Sequence, residues 1–122
     1  MKLFFAFATL AAFSMSTLAA DGPVFHVVHF KFKADAKKDD IEKVVTAFAA
    51  LKTKIPTIQD FQHGTNSSPE GLSKGFTHCW IVTFKNEKDR DAYLVDPAHK
   101  AFVEVLKPHL EEPMVVDFVG SK

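Results

Sequence analysis

From Val24 to Lys33, and again from Phe76 to Lys85, side chains alternate with a period of two, and apolar residues occupy both alternating sets. In the first stretch Val24, His26, Val28, Phe30 and Phe32 share one face, opposite Phe25, Val27, His29 and Lys31. In the second, Phe76, His78, Trp80, Val82 and Phe84 stand together, opposite Cys79 and Ile81. A period of two over this length is the signature of a strand. Strands apolar on both sides constrain the fold more than any other feature here, because each side of their sheet then needs a cover.

The intervening segments change period. From about Lys37 to Leu51, apolar residues recur at Ile41, Val44, Val45, Phe48 and Leu51, which is helical spacing, and Pro56 closes the segment. Thr57 to Thr65 reads as a weaker strand. Asn86 is placed to cap a short helix running to Val95. Asp96 and Pro97 then restart a second helix as N-cap and first residue, and Pro108 ends it. Met114 to Val119 forms the last strand. The order β-α-β-β-α-β is the α+β, ferredoxin-like arrangement with one antiparallel four-stranded sheet. Its helices cover one face. The other is predicted to carry Phe25, Val27, Phe61, Cys79 and Ile81 beside His29 and Lys31, too apolar a surface to leave in water. A two-fold homodimer packed sheet to sheet is the expected cover.

At 122 residues the chain holds one domain with a modest core. Formal charge is zero, with basic and acidic residues interspersed, so nothing marks a nucleic-acid surface. Residues 1–20 combine one early lysine, an apolar run and small residues around Leu18-Ala19-Ala20, the layout of a cleaved signal peptide. The domain is therefore expected to span 21–122 and to be exported, periplasmic or secreted, with no membrane attachment after cleavage. A single cysteine allows no internal disulfide, and Cys79 within an apolar strand is expected to be buried and inert.

The chemistry-bearing candidates converge on Tyr93 and His99. Pro97 at the first helical position puts His99 in the first turn, where the helix dipole favours a neutral imidazole. The Asp96 carboxylate pulls the other way and is expected to raise that pKa. Tyr93, at the end of the preceding helix, is placed to share a pocket with His99. His26 and His78 lie on the strand faces turned toward the helices and are expected as a buried pair hydrogen-bonded to Tyr93. His26 and His29 fall on opposite faces, and His63 and His109 on other elements, so no metal-ligand cluster is written in the spacing. Trp80 belongs to the core, and Phe76, Trp80 and Phe84 are expected to take up pocket space. No phosphate loop, cofactor fingerprint or local nucleophile–base pair is present in the sequence.

The run His26 to Lys33, then Ile55-Pro56, Gly71 to His78, Thr83-Phe84 and Tyr93 to Phe102 resembles the stress-responsive dimeric α/β-barrel (Dabb) family, over essentially the whole mature chain. The resemblance implies a ferredoxin-like protomer and a dimer whose two sheets form a barrel. One plant branch, olivetolic acid cyclase, closes a polyketide by aldol condensation; by motif its working tyrosine and histidine fall on Tyr93 and His99, and two pocket histidines on His26 and His78. Many relatives read His-Pro-x-His where this chain has Asp96-Pro97-Ala98-His99, and the leader does not match a cytosolic plant cyclase, so the substrate does not carry over. The first expectation is a secreted stress-response dimer that binds a small apolar molecule or acts in stress protection. The alternative is a cofactor-free acid–base cyclase or lyase using Tyr93 and His99. A further alternative, implied by the wider superfamily, is a cofactor-independent monooxygenase.

Overall fold

The computed structural model describes residues 22–121. The predicted signal segment 1–20 lies outside them. The element order is β1 (Val24–Phe32), α1 (Lys38–Lys54), β2 (Ile58–Thr65), β3 (His78–Phe84), α2 (Glu87–Leu94), α3 (Pro97–Leu106), a 3-10 turn (Lys107–His109) and β4 (Leu110–Val119). The sheet is antiparallel throughout, in the order β2-β3-β1-β4, with the helices over one face. This is the ferredoxin-like α+β fold that the sequence predicts. Among the described residues no helix is long and apolar enough to cross a membrane.

Local chemistry sets the helix ends. Asp39 and Asp40 sit in the first turn of α1, and Lys52 and Lys54 in its last, each complementing the dipole. Pro56 disfavours a helical Ile55, and the helix stops there. Asn86 Oδ1 accepts the Asp89 N–H at 2.9 Å, and Asp96 Oδ1 accepts the Ala98 N–H at 2.8 Å. Such caps are worth about 1 kcal/mol each. With Pro97 at its first position, α3 begins abruptly after α2 and places Tyr93 and His99 on either side of one tight corner.

The core forms where the inward set of β1 and β3 meets Val44, Phe48 and Leu51 of α1 and Phe102 and Leu106 of α3. Phe48 lies 4.5 Å from Phe102 and 4.9 Å from Trp80 between ring centroids, and Trp80 is only 1% exposed. Trp80 is thus core, as its place on the strand implied.

Three expectations need correction. Phe61 was expected on the open face, but β2 carries a bulge: Ile58 opposes Phe84, and the next pair is Asp60 with Thr83. The extra residue, Gln59, reverses the alternation. Phe61 and His63 therefore turn toward the helices, and Phe61 packs edge-on against Phe48 at 5.3 Å. Phe76 is not part of β3; its N–H bonds to the Ser73 carbonyl in the preceding loop. There Gly75, at φ 87°, lies against the Lys31 stem so closely that a Cβ would come within 2.8 Å of Cε. Finally, β4 starts at Leu110 rather than Met114. Pro113 is tolerated because β4 is an edge strand, where a missing ladder N–H costs little.

The β1–β4 register puts Met114, Val116 and Phe118 on the open face beside Phe25, Val27 and Ile81. Val116 and Phe118 are each 54% exposed, and Phe118 stacks on Phe25 at 5.1 Å. Cys79 is only half-buried there, with burial holding its thiol pKa up.

Candidate functional site

Between β1, β4, α1 and the α2–α3 corner lies a cavity of about 210 Å³. Apolar side chains make most of its wall, chiefly Phe30, Phe48, Phe102 and Leu106, and half-exposed Val115 stands among its lining on the edge strand. Three polar side chains break that lining: His26, Tyr93 and His99. The Tyr93 and His99 rings are 4.6 Å apart, and His26 meets the Tyr93 ring edge-on at 5.6 Å. Tyr93 is 1% exposed and His26 5%. The corner read from Asp96-Pro97 does bring Tyr93 and His99 together.

Burial, then the nearby His26, lowers the His99 pKa; the Leu94 carbonyl and Asp96 oppose this, with Asp96 the weakest influence. The expected elevation by Asp96 is thus overruled by desolvation, and His99 is a neutral ring at neutral pH. Its Nδ1 is buried with no partner among the described residues. Burial, and secondarily the Asp117 charge, pushes the Tyr93 phenol well above its ordinary value. The site therefore offers a phenol that donates and an imidazole able to accept, over an apolar space.

His26 is not paired with His78, nor is either hydrogen-bonded to Tyr93. Along β1 and β3, His26 opposes Val82 whereas His78 opposes Phe30, a displacement of four residues. At strand rise that is about 13 Å. His78 lies at the far end of the sheet, bonded through Nδ1 to Thr77 Oγ1 at 2.8 Å, and lines a separate cleft of about 360 Å³ under the 66–77 loop. There it falls in line with His63, which stacks on Trp80 at 4.7 Å. Burial lowers the pKa of both histidines, and His63 lowers that of His78 further.

The true partner of His26 went unnoticed in the sequence. Asp117 stands directly opposite it on β4, with Oδ1 2.7 Å from His26 Nδ1. The other carboxylate oxygen accepts from Arg90 Nη1 at 2.9 Å, and Arg90 Nε donates to Asp91 at 2.8 Å. These carboxylates hold the Arg90 pKa up. The signal was present: in Met114 to Val119, Asp117 is an ionisable residue in the alternating set of Val115 and Val119. An acid on a covered face calls for a partner.

Among the described residues no cluster of three potential metal ligands occurs. The arrangement suits two uses. A cavity above the ~150 Å³ that admits benzene, and below the ~300–1,000 Å³ of drug-sized sites, fits a small single-ring molecule. Its polar wall could also move a proton.

Residues 24–120 match the family description "Stress responsive A/B Barrel Domain", Dabb. Similar proteins include the stress-response A/B barrel domain-containing protein HS1 of Arabidopsis thaliana, 31% identical over 81% of this chain and 91% of that protein. Olivetolic acid cyclase of Cannabis sativa is 26% identical over 81% of this chain and 98% of that protein. A solved structure from Bacteroides fragilis, described as a dimeric protein of unknown function with a ferredoxin-like fold, superposes with a TM-score of 0.67. It is 27% identical and covers 83% of this chain and 99% of that one.

Proposed function

Because the chain belongs to the stress-responsive A/B barrel (Dabb) family, we propose that it is an exported, homodimeric stress-response protein whose cavity at His26, Tyr93 and His99 binds a small apolar molecule. The observation that carries the reading is the cavity itself, apolar on most of its wall with a few polar groups converging on one part of it. Dimerisation is supported by the open sheet face, where Phe25, Val27, Ile81, Val116 and Phe118 lie side by side with none of the described helices above them, and by the dimeric description of the Bacteroides protein. Export is supported by the leader alone. Intact-mass analysis of exported material should show a loss of about 20 residues; retention of Met1 would refute it.

Binding is tested with toluene as the probe. Toluene should raise the melting temperature of the wild type, because a ligand bound only by the folded state stabilises it. Val115→Trp, which fills the cavity from the edge strand, should abolish the effect. Equal stabilisation of both proteins would remove the cavity from the argument.

A second reading is favoured by the neutral states of His99 and Tyr93 and by the likeness to olivetolic acid cyclase. Here His99 takes a proton from the carbon next to a carbonyl, and the Tyr93 hydroxyl donates a hydrogen bond to the resulting enolate oxygen; no cofactor is required. Incorporation of solvent deuterium into acetophenone separates the readings. Catalysed exchange lost in both folded variants, Tyr93→Phe and His99→Ala, establishes the enzyme. Toluene binding without exchange leaves the binding protein.

A further inference from the structure

The groups behind the cavity wall form a chain that neither reading uses. Arg90, on α2, donates to Asp117 on β4, which contacts His26 on β1. Arg90 precedes Tyr93 by three residues and so lies on the same side of α2. One short helix thus sets both the cavity phenol and the anchor of the cavity histidine. A guanidinium only donates and a carboxylate only accepts. With Asp117 Oδ2 engaged by Arg90, the 2.7 Å contact at Oδ1 requires a proton on His26 Nδ1. His26 sits on a strand paired on both sides, so its backbone is fixed. No other described side chain hydrogen-bonds its second nitrogen, and the ring lines the cavity.

We propose that Arg90 and Asp117 are a positioning pair. Arg90 orients the Asp117 carboxylate, the carboxylate selects the Nδ1–H tautomer of the neutral form of His26, and Nε2 of that form is a hydrogen-bond acceptor for the hydroxyl or enol of a small apolar ligand. This rests on the cavity being the working site and names the ligand chemistry it takes. Glu87, 3.9 Å from Arg90 Nη2, and Asp91 hold the guanidinium on its outer side.

The test turns on an asymmetry of asparagine. In Asp117→Asn, Arg90 still needs an acceptor, so the amide oxygen turns to Arg90 and the NH₂ to His26 Nδ1. His26 must then carry its proton on Nε2. In the double variant Arg90→Met, Asp117→Asn, nothing holds the oxygen outward, and the amide can flip back to accept from Nδ1–H. Long-range ¹H–¹⁵N NMR of the intact protein reads the tautomer directly, at a pH where the ring is neutral. The expected sequence is Nδ1–H in the wild type, Nε2–H in the single variant and Nδ1–H restored in the double. A wild-type ring protonated on Nε2 overturns the pairing without any variant, and a single variant that keeps Nδ1–H, or a double that fails to restore it, overturns the role of Arg90. Because this readout needs no ligand, it stands apart from the binding proposal. For the ligand, phenol should bind the wild type about tenfold more tightly than anisole, and Asp117→Asn should erase the difference. Equal wild-type affinities would overturn Nε2 as acceptor.

Discussion

The two faces of the sheet handle their misfit residues in opposite ways. On the helix side the misfits are polar, and the ionisable ones on β1 and β4 have a local answer: His26 has Asp117, and Asp117 has Arg90. On the open side the misfits are apolar, and nothing among the described residues covers Val116 or Phe118, each more than half exposed. A buried polar group can be satisfied by one correctly placed partner, because hydrogen bonds are directional. An apolar patch can be satisfied only by area, which a chain of this size has already spent on its core.

The sharpest way to break the contrast is a charge on the open face. Ile81→Asp or Val27→Asp should convert the proposed dimer to monomer or aggregate by light scattering at micromolar concentration. A two-fold interface carries the substitution twice, and an unpaired buried charge costs several kcal/mol. A dimer that tolerates both would place the interface elsewhere. On the covered face, Asp117→Ala should lower stability in urea by about 2–4 kcal/mol, less than for a fully buried pair because Arg90 is partly reached by water. A change under about 0.5 kcal/mol would show the network to be incidental.

Smaller effects probe the cavity. The folded pKa of His99 lies below its unfolded value because of burial and His26, so the unfolded chain binds the extra proton more readily. Stability is therefore full above the unfolded value of about 6.5 and falls as pH drops below it, until the folded ring is also protonated. His63 and His78, lowered in the same direction, add to the slope. Melting temperature should drop between pH 7.5 and 5, and His99→Gln should flatten part of the drop; an identical profile would mean that His99 keeps its unfolded value. Least of all, Tyr93→Phe should cost about 1 kcal/mol or less by urea titration, since no described residue hydrogen-bonds its hydroxyl. A loss above about 3 kcal/mol would reveal a partnered phenol.

Much of this was legible in one dimension. The alternation of β1, the helical spacing from Ile41 to Leu51, the Asn86 and Asp96 caps and the Pro97 restart are all set by interactions within a few residues. So the element order, and the corner that holds Tyr93 beside His99, followed from local steric and hydrogen-bonding rules. Phe61 did not, because a single inserted residue reverses strand parity and no side chain announced the bulge at Gln59. The two histidines on neighbouring strands were right in face and wrong in register. Period two fixes which way a residue points, not how far along the partner strand it lies.

Local chemistry sets what each segment becomes, since propensity, capping and period act over one or two turns of chain. Which segments meet is settled by how the sheet closes. His26 and Asp117 are separated by 91 positions, and their contact exists because β4 pairs with β1 in one register. The lowered His99 pKa is equally a product of assembly: Asp96, its neighbour in sequence, pulls weakly upward, while desolvation by the packed core and the proximity of His26 pull it down. Burial and long-range pairing are properties of the closed sheet, and no stretch of the chain contains them.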